Sequence, residues 1–195
     1  MTASPLTPDE IAAVRKPYRA ASLLPGRAYH DPAIHDFERT EWFRRDWIVV
    51  GREEDAPAPG TYFLAEVDDE ALIVVRGRDG VLRGFYNVCR HRGAELVAFD
   101  APRCAHAGSV IRCPYHAWTY GLDGRLRAAP HLERGQAPDV SLHPVAVDAW
   151  GGFVVAACGA ADGDVHFAIV FDSAVDCDDR GGVVAVVQLG GPHGP

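Results

Sequence analysis

The sequence predicts a mainly β fold, a small antiparallel sandwich or barrel with a short helical N-terminal extension. Short apolar, β-branched runs recur between residues 47 and 157, each bounded by a Gly- or Pro-containing turn. Asp79-Gly80 and Asp123-Gly124 sit between such runs and are strong hairpin signals. Helix-start signals are confined to the first 46 residues. The 195 residues, 48% hydrophobic and 24% charged, suit one globular domain with an appendage.

Thr7-Pro8-Asp9-Glu10 predicts a helix start, with Thr7 as N-cap, Pro8 in the first turn and Glu10 closing a capping box. Ile11 and Val14 would face inward, and Leu24-Pro25-Gly26 ends the segment. Asp31-Pro32 opens a second helix expected to run to about Arg45, with Ile34, Phe37, Trp42 and Phe43 as apolar contacts. From Trp47 the period changes to that of strands. The expected strands lie at 48–50, 61–67, 71–76, 81–86, 118–120, 125–126, 145–147 and 153–155. No internal repeat is evident. The chain therefore divides into a helical extension (1–46), a β domain (47–157) and a tail (158–195).

The tail differs in composition. It has no Glu, no Lys and a single Leu, and residues 161–195 hold six Asp against one Arg. We expect it to be out-of-frame or disordered. Its Asp172, Asp176, Asp178 and Asp179 lack the spacing and closing Glu of a calcium loop and read as a solvated acidic run.

Bulk properties exclude some functions. A net charge of −8 argues against a nucleic-acid partner. No stretch approaches the roughly 18 apolar residues of a membrane span. The N-terminus lacks a basic and apolar leader, so a cytoplasmic location is expected. Five cysteines in a reducing compartment point to metal binding over disulfides.

Chemistry concentrates in two segments. Cys89-Arg90-His91 is a C-x-H, and Cys113-Pro114-Tyr115-His116 is a C-x-x-H. Each supplies one thiolate and one imidazole. That set matches a [2Fe–2S] cluster in which one iron is held by two Cys and the other by two His. The candidate ligands are Cys89, His91, Cys113 and His116, with 21 residues between His91 and Cys113. Cys104 and His106 form a rival C-x-H, but only six residues separate it from Cys113. A zinc site is disfavoured because no C-x₂₋₄-C knuckle occurs. His30, His35, His131 and His143 read as surface or structural residues. Arg83, Arg90, Arg92, Arg103 and Arg112 make the region basic, either as solvated surface or as a rim that steers an acidic redox partner.

The strings Asn87–Leu96 and Arg112–Tyr120 resemble the Rieske [2Fe–2S] domain of the α subunits of Rieske non-haem iron oxygenases. Tyr29-His30-Asp31-Pro32, Phe37-Glu38, Trp42-Phe43 and Trp47 resemble the entry segment of those subunits, which free-standing Rieske ferredoxins normally lack. The resemblance covers about residues 20–157. It implies that Trp118 packs near the cluster and that backbone N–H groups around Arg92-Gly93 and Tyr115–Trp118 donate to its sulfurs. The extra cysteines of respiratory Rieske proteins are replaced here by Ala94 and Tyr115, which implies the lower-potential type. In the family an electron from a reductase or ferredoxin passes through the cluster to a mononuclear iron in a second domain, often within a homo-oligomer, for hydroxylation or demethylation. The local style suggests the branch of quaternary-amine monooxygenases and ring-hydroxylating dioxygenases. That second domain, with its mononuclear Fe(II), is expected to be missing, the chain being cut short or frame-shifted near residue 157. The alternative is a stand-alone Rieske-type ferredoxin.

Overall fold

The computed structural model describes residues 3–98, 102–130, 132–133 and 137–159. The readings on His131, Cys177, the acidic run and nearly all of the tail lie outside them. Ten strands and two short α-helices make up the described fold.

The helical extension begins as its caps dictate. Helix α1 (Pro8–Val14) starts at Thr7, whose hydroxyl accepts from the Glu10 N–H at 3.3 Å while the Glu10 carboxylate accepts from the Thr7 N–H at 2.8 Å. No residue of α1 is buried, so the inward role expected for Ile11 and Val14 is not realised. Arg27, in a 3₁₀ turn, ties back to Glu10 at 2.6 Å. Helix α2 (Pro32–Glu38) is capped by Asp31 and buries Ile34. It continues as a π-helical turn, Arg39–Phe43, and stops two residues short of the expected end. The wider turn rotates Trp42 outward, leaving it 52% exposed instead of packed. Arg39 and Arg44, one at each end of that turn, both reach Asp68 and Asp69.

The strands are β1 (Ile48–Arg52), β2 (Thr61–Val67), β3 (Glu70–Arg76), β4 (Leu82–Tyr86), β5 (Cys104–His106), β6 (Val110–Arg112), β7 (Thr119–Gly121), β8 (Leu126–Ala128), β9 (Pro144–Trp150) and β10 (Phe153–Ala157). They form a seven-stranded antiparallel sheet, ordered β1-β10-β9-β4-β3-β2-β5, and a three-stranded sheet, β6-β7-β8. Strands β5 and β6 were not expected. Each has three residues, too short for period-2 alternation to show in sequence. Strand β5 lies between His91 and Cys113 and forms an edge strand on β2. Arg103, just before β5, accepts from the Leu64 N–H and donates to the Val50 carbonyl of β1. It thereby links the two edges of a curled sheet.

Strands β2 and β3 are buried on both faces, which explains their continuous apolar runs. Tyr62, Leu64, Ile73 and Val75 join one core with Phe85, Leu96, Ile111, Trp118 and Tyr120. Phe63, Ala65, Leu72 and Val74 join a second with Val50, Val145 and Val154. Cys89 and Cys113 belong to the first core.

A short repeat is present after all. Gly77-Arg-Asp-Gly-Val-Leu-Arg83 and Gly121-Leu-Asp-Gly-Arg-Leu-Arg127 fold as matched turns. In each, the Asp carboxylate pairs with the Arg four residues on, at 2.7 and 2.6 Å. In each, the pair crosses close over the first Gly, where a Cβ would meet its two members at 2.3–2.9 Å. These turns lie at the far ends of β4 and β7 from the two Cys-His segments.

Candidate metal centre

Both Cys-His segments fold into the same kind of loop. The Cys89 N–H donates to the Ala94 carbonyl at 2.8 Å, and the Gly93 N–H donates back to the Cys89 carbonyl at 3.0 Å. The Cys113 N–H donates to the Trp118 carbonyl at 2.8 Å, and the Ala117 N–H to the Cys113 carbonyl at 3.1 Å. The residue four places after each Cys is left-handed, Gly93 at φ +69° and Ala117 at φ +56°. Glycine meets that requirement without penalty, whereas Ala117 holds it under strain. The Gly93 and Ala117 amides, expected among donors to the cluster, thus serve the loops themselves.

Each loop is anchored from outside. Asn87, the one buried polar residue in the described core, accepts from the Leu96 and Val97 N–H groups at 3.2 and 3.0 Å. Its Nδ2 donates to the Val97 carbonyl at 2.7 Å. It closes the base of the first loop. The second loop is the turn between β6 and β7, with Arg112 paired to Thr119.

Together the loops bring like with like. Cys89 and Cys113 are both buried, both free, and their sulfurs are neighbours. Burial pushes the Cys89 thiol up, and the Cys113 sulfur adds to that rise. The imidazoles of His91 and His116 lie edge to face, 4.8 Å apart between ring centres. Trp118 stacks on His91 at 4.7 Å and 10°, where it was expected to pack. Tyr115 lies against His116 at 3.8 Å and is 62% exposed.

The Tyr120 hydroxyl is a feature that the sequence did not disclose. Tyr120 is fully buried, accepts from the Arg90 N–H at 3.1 Å and lies 3.2 Å from the Cys89 sulfur. Either of the two can donate while Cys89 is a thiol; once Cys89 is a thiolate, the hydroxyl is the donor.

These groups suit a two-iron cluster. His91 Nδ1 is buried without a hydrogen-bond partner, and the His116 Nδ1 is buried as well. A buried imidazole nitrogen in that state is destabilising unless something coordinates it. Two adjacent buried thiols are likewise disfavoured as bare thiolates and favoured as metal ligands. Among the described residues, no three His, Cys, Asp or Glu side chains surround one point as a mononuclear ion needs. A diiron cluster asks instead for two sulfurs on one iron and two nitrogens on the other. The rival Cys104 is exposed on β5, opposite Phe63 of β2, away from both loops.

The expected arginine rim is reduced. Arg83 is paired with Asp79, and Arg103 is engaged with Val50. Arg90, Arg92 and Arg112 remain exposed beside the loops. His143 is exposed and meets the Arg90 guanidinium at 3.4 Å.

Comparison with known proteins identifies the family. A model of the Rieske [2Fe–2S] domain matches residues 46–148. The chain is 42% identical to the glycine betaine monooxygenase oxygenase subunit of Chromohalobacter salexigens, over 67% of this chain and 29% of that protein. It is 38% identical to the carnitine monooxygenase oxygenase subunit of Acinetobacter pittii, over 69% of this chain and 36% of that one. Among solved structures, the quaternary ammonium Rieske monooxygenase CntA with L-carnitine matches 69% of this chain and 38% of its own, at TM-score 0.62 and 36% identity. Naphthalene 1,2-dioxygenase from Rhodococcus sp. matches 69% of this chain and 31% of its own, at TM-score 0.63 and 29% identity. The chain spans about a third of the length of the curated relatives it matches.

Proposed function

This chain belongs to the Rieske [2Fe–2S] domain family, and from that premise we propose that Cys89, Cys113, His91 and His116 hold its cluster and relay single electrons within an oxygenase. The observation that carries the reading is the pairing made by the two loops, sulfur beside sulfur and imidazole beside imidazole. When bound, the cluster supplies a one-electron store whose potential is raised by its two neutral ligands.

The chain's own residues do the rest. Cys89 and Cys113 sit in the apolar core, where burial excludes water from the sulfur side. Trp118 fixes the plane of the His91 ring by stacking on it. The Tyr120 hydroxyl donates to the Cys89 sulfur and so favours the more electron-rich state. Asn87 holds the first loop closed.

By likeness to the relatives, the donor is a reductase or ferredoxin, and the acceptor is a mononuclear Fe(II) centre of a catalytic domain. The reaction is O₂-dependent hydroxylation or demethylation, and the relatives' names favour a quaternary ammonium substrate. A stand-alone carrier is the weaker reading, because the matched relatives are oxygenase subunits.

The test is anaerobic loading of the full chain with iron and sulfide, followed by redox titration. His116→Cys is expected to keep iron but lower the potential by on the order of 100 mV or more, since an anionic ligand replaces a neutral one. An unchanged potential would contradict the assignment.

A further inference from the structure

We propose that Tyr115, with Arg90, Arg92 and Arg112 around the two loops, forms the contact surface through which the centre receives its electron, and that the donor protein presents an acidic face. The proposal rests on the cluster reading above and adds the chemistry of the partner.

Three observations support it. First, Tyr115 is 62% exposed while its ring lies 3.8 Å from that of His116. It is thus both a surface aromatic and a direct neighbour of a ligand ring. Electron tunnelling falls steeply with distance, so a partner gains most by seating where a ligand imidazole comes nearest the surface. A large aromatic ring left in water is also a strong anchor once a partner covers it. Second, among the described residues the arginines beside the loops form no ion pair, unlike several others in the chain. Arg39 pairs with Asp68, Arg83 with Asp79 and Arg127 with Asp123. Among the described residues, Arg90, Arg92 and Arg112 have no carboxylate partner. Arg90 instead donates to the Ser141 carbonyl at 3.1 Å, which fixes its position without cancelling its charge. Third, the chain as a whole carries −8. A local cluster of uncompensated positive charge on an acidic protein orients an acidic partner toward itself and turns it away elsewhere.

The step balances as a simple exchange. The donor's reduced centre loses one electron, the oxidised cluster gains one, and no bond is made or broken.

A plant-type [2Fe–2S] ferredoxin is a suitable probe, being acidic and strongly reducing. Its reduction of the oxidised, cluster-loaded full chain is followed by stopped flow at low and high salt. Oxidation of the reduced chain by cytochrome c, a basic protein, is the control. The ferredoxin rate should fall at least about tenfold as salt rises, and the cytochrome rate should not fall. The double variant Arg92→Glu/Arg112→Glu should slow the ferredoxin reaction at low salt by about tenfold or more and speed the cytochrome reaction. Tyr115→Ser should slow the ferredoxin reaction about tenfold, and Tyr115→Phe should restore it, because ring contact and not the hydroxyl is needed. Variants are compared only where the EPR spectrum of the reduced cluster is retained. A wild-type rate with ferredoxin in either the charge-reversal or the Tyr115→Ser chain overturns the surface. Absence of a cluster signal from the wild-type chain overturns the cluster reading and this proposal with it.

Discussion

The Tyr120 hydroxyl sits between the Arg90 amide and the Cys89 sulfur, and toward a thiolate it can only donate. A hydrogen bond to a thiolate strengthens as the centre gains negative charge, which favours the reduced state. Tyr120→Phe is therefore expected to lower the potential by about 40 mV, on the order of 1 kcal/mol of lost differential stabilisation. Redox titration of the loaded variant checks this, and a rise would contradict it. At this scale the sequence was only half legible. The candidate ligands were readable because each Cys and its His are two or three positions apart. Tyr120 read as an ordinary strand residue, since its contact with Cys89 spans 31 positions and exists only once β7 is packed. Asn87 stood in the same string as Cys89 and was equally unremarked. Its role depends on where the loop returns at Leu96 and Val97.

The first ligand loop is an element closed by one side chain. Asn87→Ala would leave the buried Leu96 amide and the part-buried Val97 amide and carbonyl without their partner. The expected loss is about 2–3 kcal/mol of stability, with reduced iron uptake, read by thermal unfolding and iron content. An unaltered melting point would show that the loop closes without it. The π-helical turn between α2 and β1 is held to the β2–β3 turn by charge. The Arg44 guanidinium holds the Asp69 carboxyl down at about 2. A depressed carboxylate contributes above its unfolded value, about 3.9, and loses that contribution as pH falls toward 2. An NMR titration should place the Asp69 midpoint near 2, and Arg44→Gln should bring it back toward the ordinary carboxylate range. No shift on removing Arg44 would assign the depression elsewhere. The strands with long apolar runs, β2 and β3, were legible in sequence. The three-residue β5 and β6 were not, because their pairing comes from β2 and β7 and not from their own pattern. The outward Trp42 was missed for a related reason: one added backbone residue per turn shifts every later side chain around the axis.

At the scale of the whole molecule, the fold is a curled sheet whose central strands are buried twice over. One core faces the strands of the β1–β10 edge, and the other carries the two sulfurs. Placing the thiols inside a core ties cofactor retention to folding. A ligand that binds the folded chain alone must also stabilise it. The arrangement likewise separates the buried sulfur side from the imidazole side, where Tyr115 reaches solvent. The sequence disclosed the architecture and the four candidate ligands because hairpin turns and Cys-His spacing are local. The repeat G-x-D-G-x-L-R at Gly77 and Gly121 stands in the sequence, but the Asp-Arg pair that closes over the first glycine of each shows only in the fold.

The central claim is that two imidazoles and two thiolates share one diiron centre. Electron–nuclear double resonance on the reduced, iron-loaded chain, grown with ¹⁵N-histidine, tests it most directly. The account predicts two distinct histidine nitrogen couplings, with one lost in His91→Ala if that variant keeps its iron. A cluster signal without any histidine nitrogen coupling would contradict it.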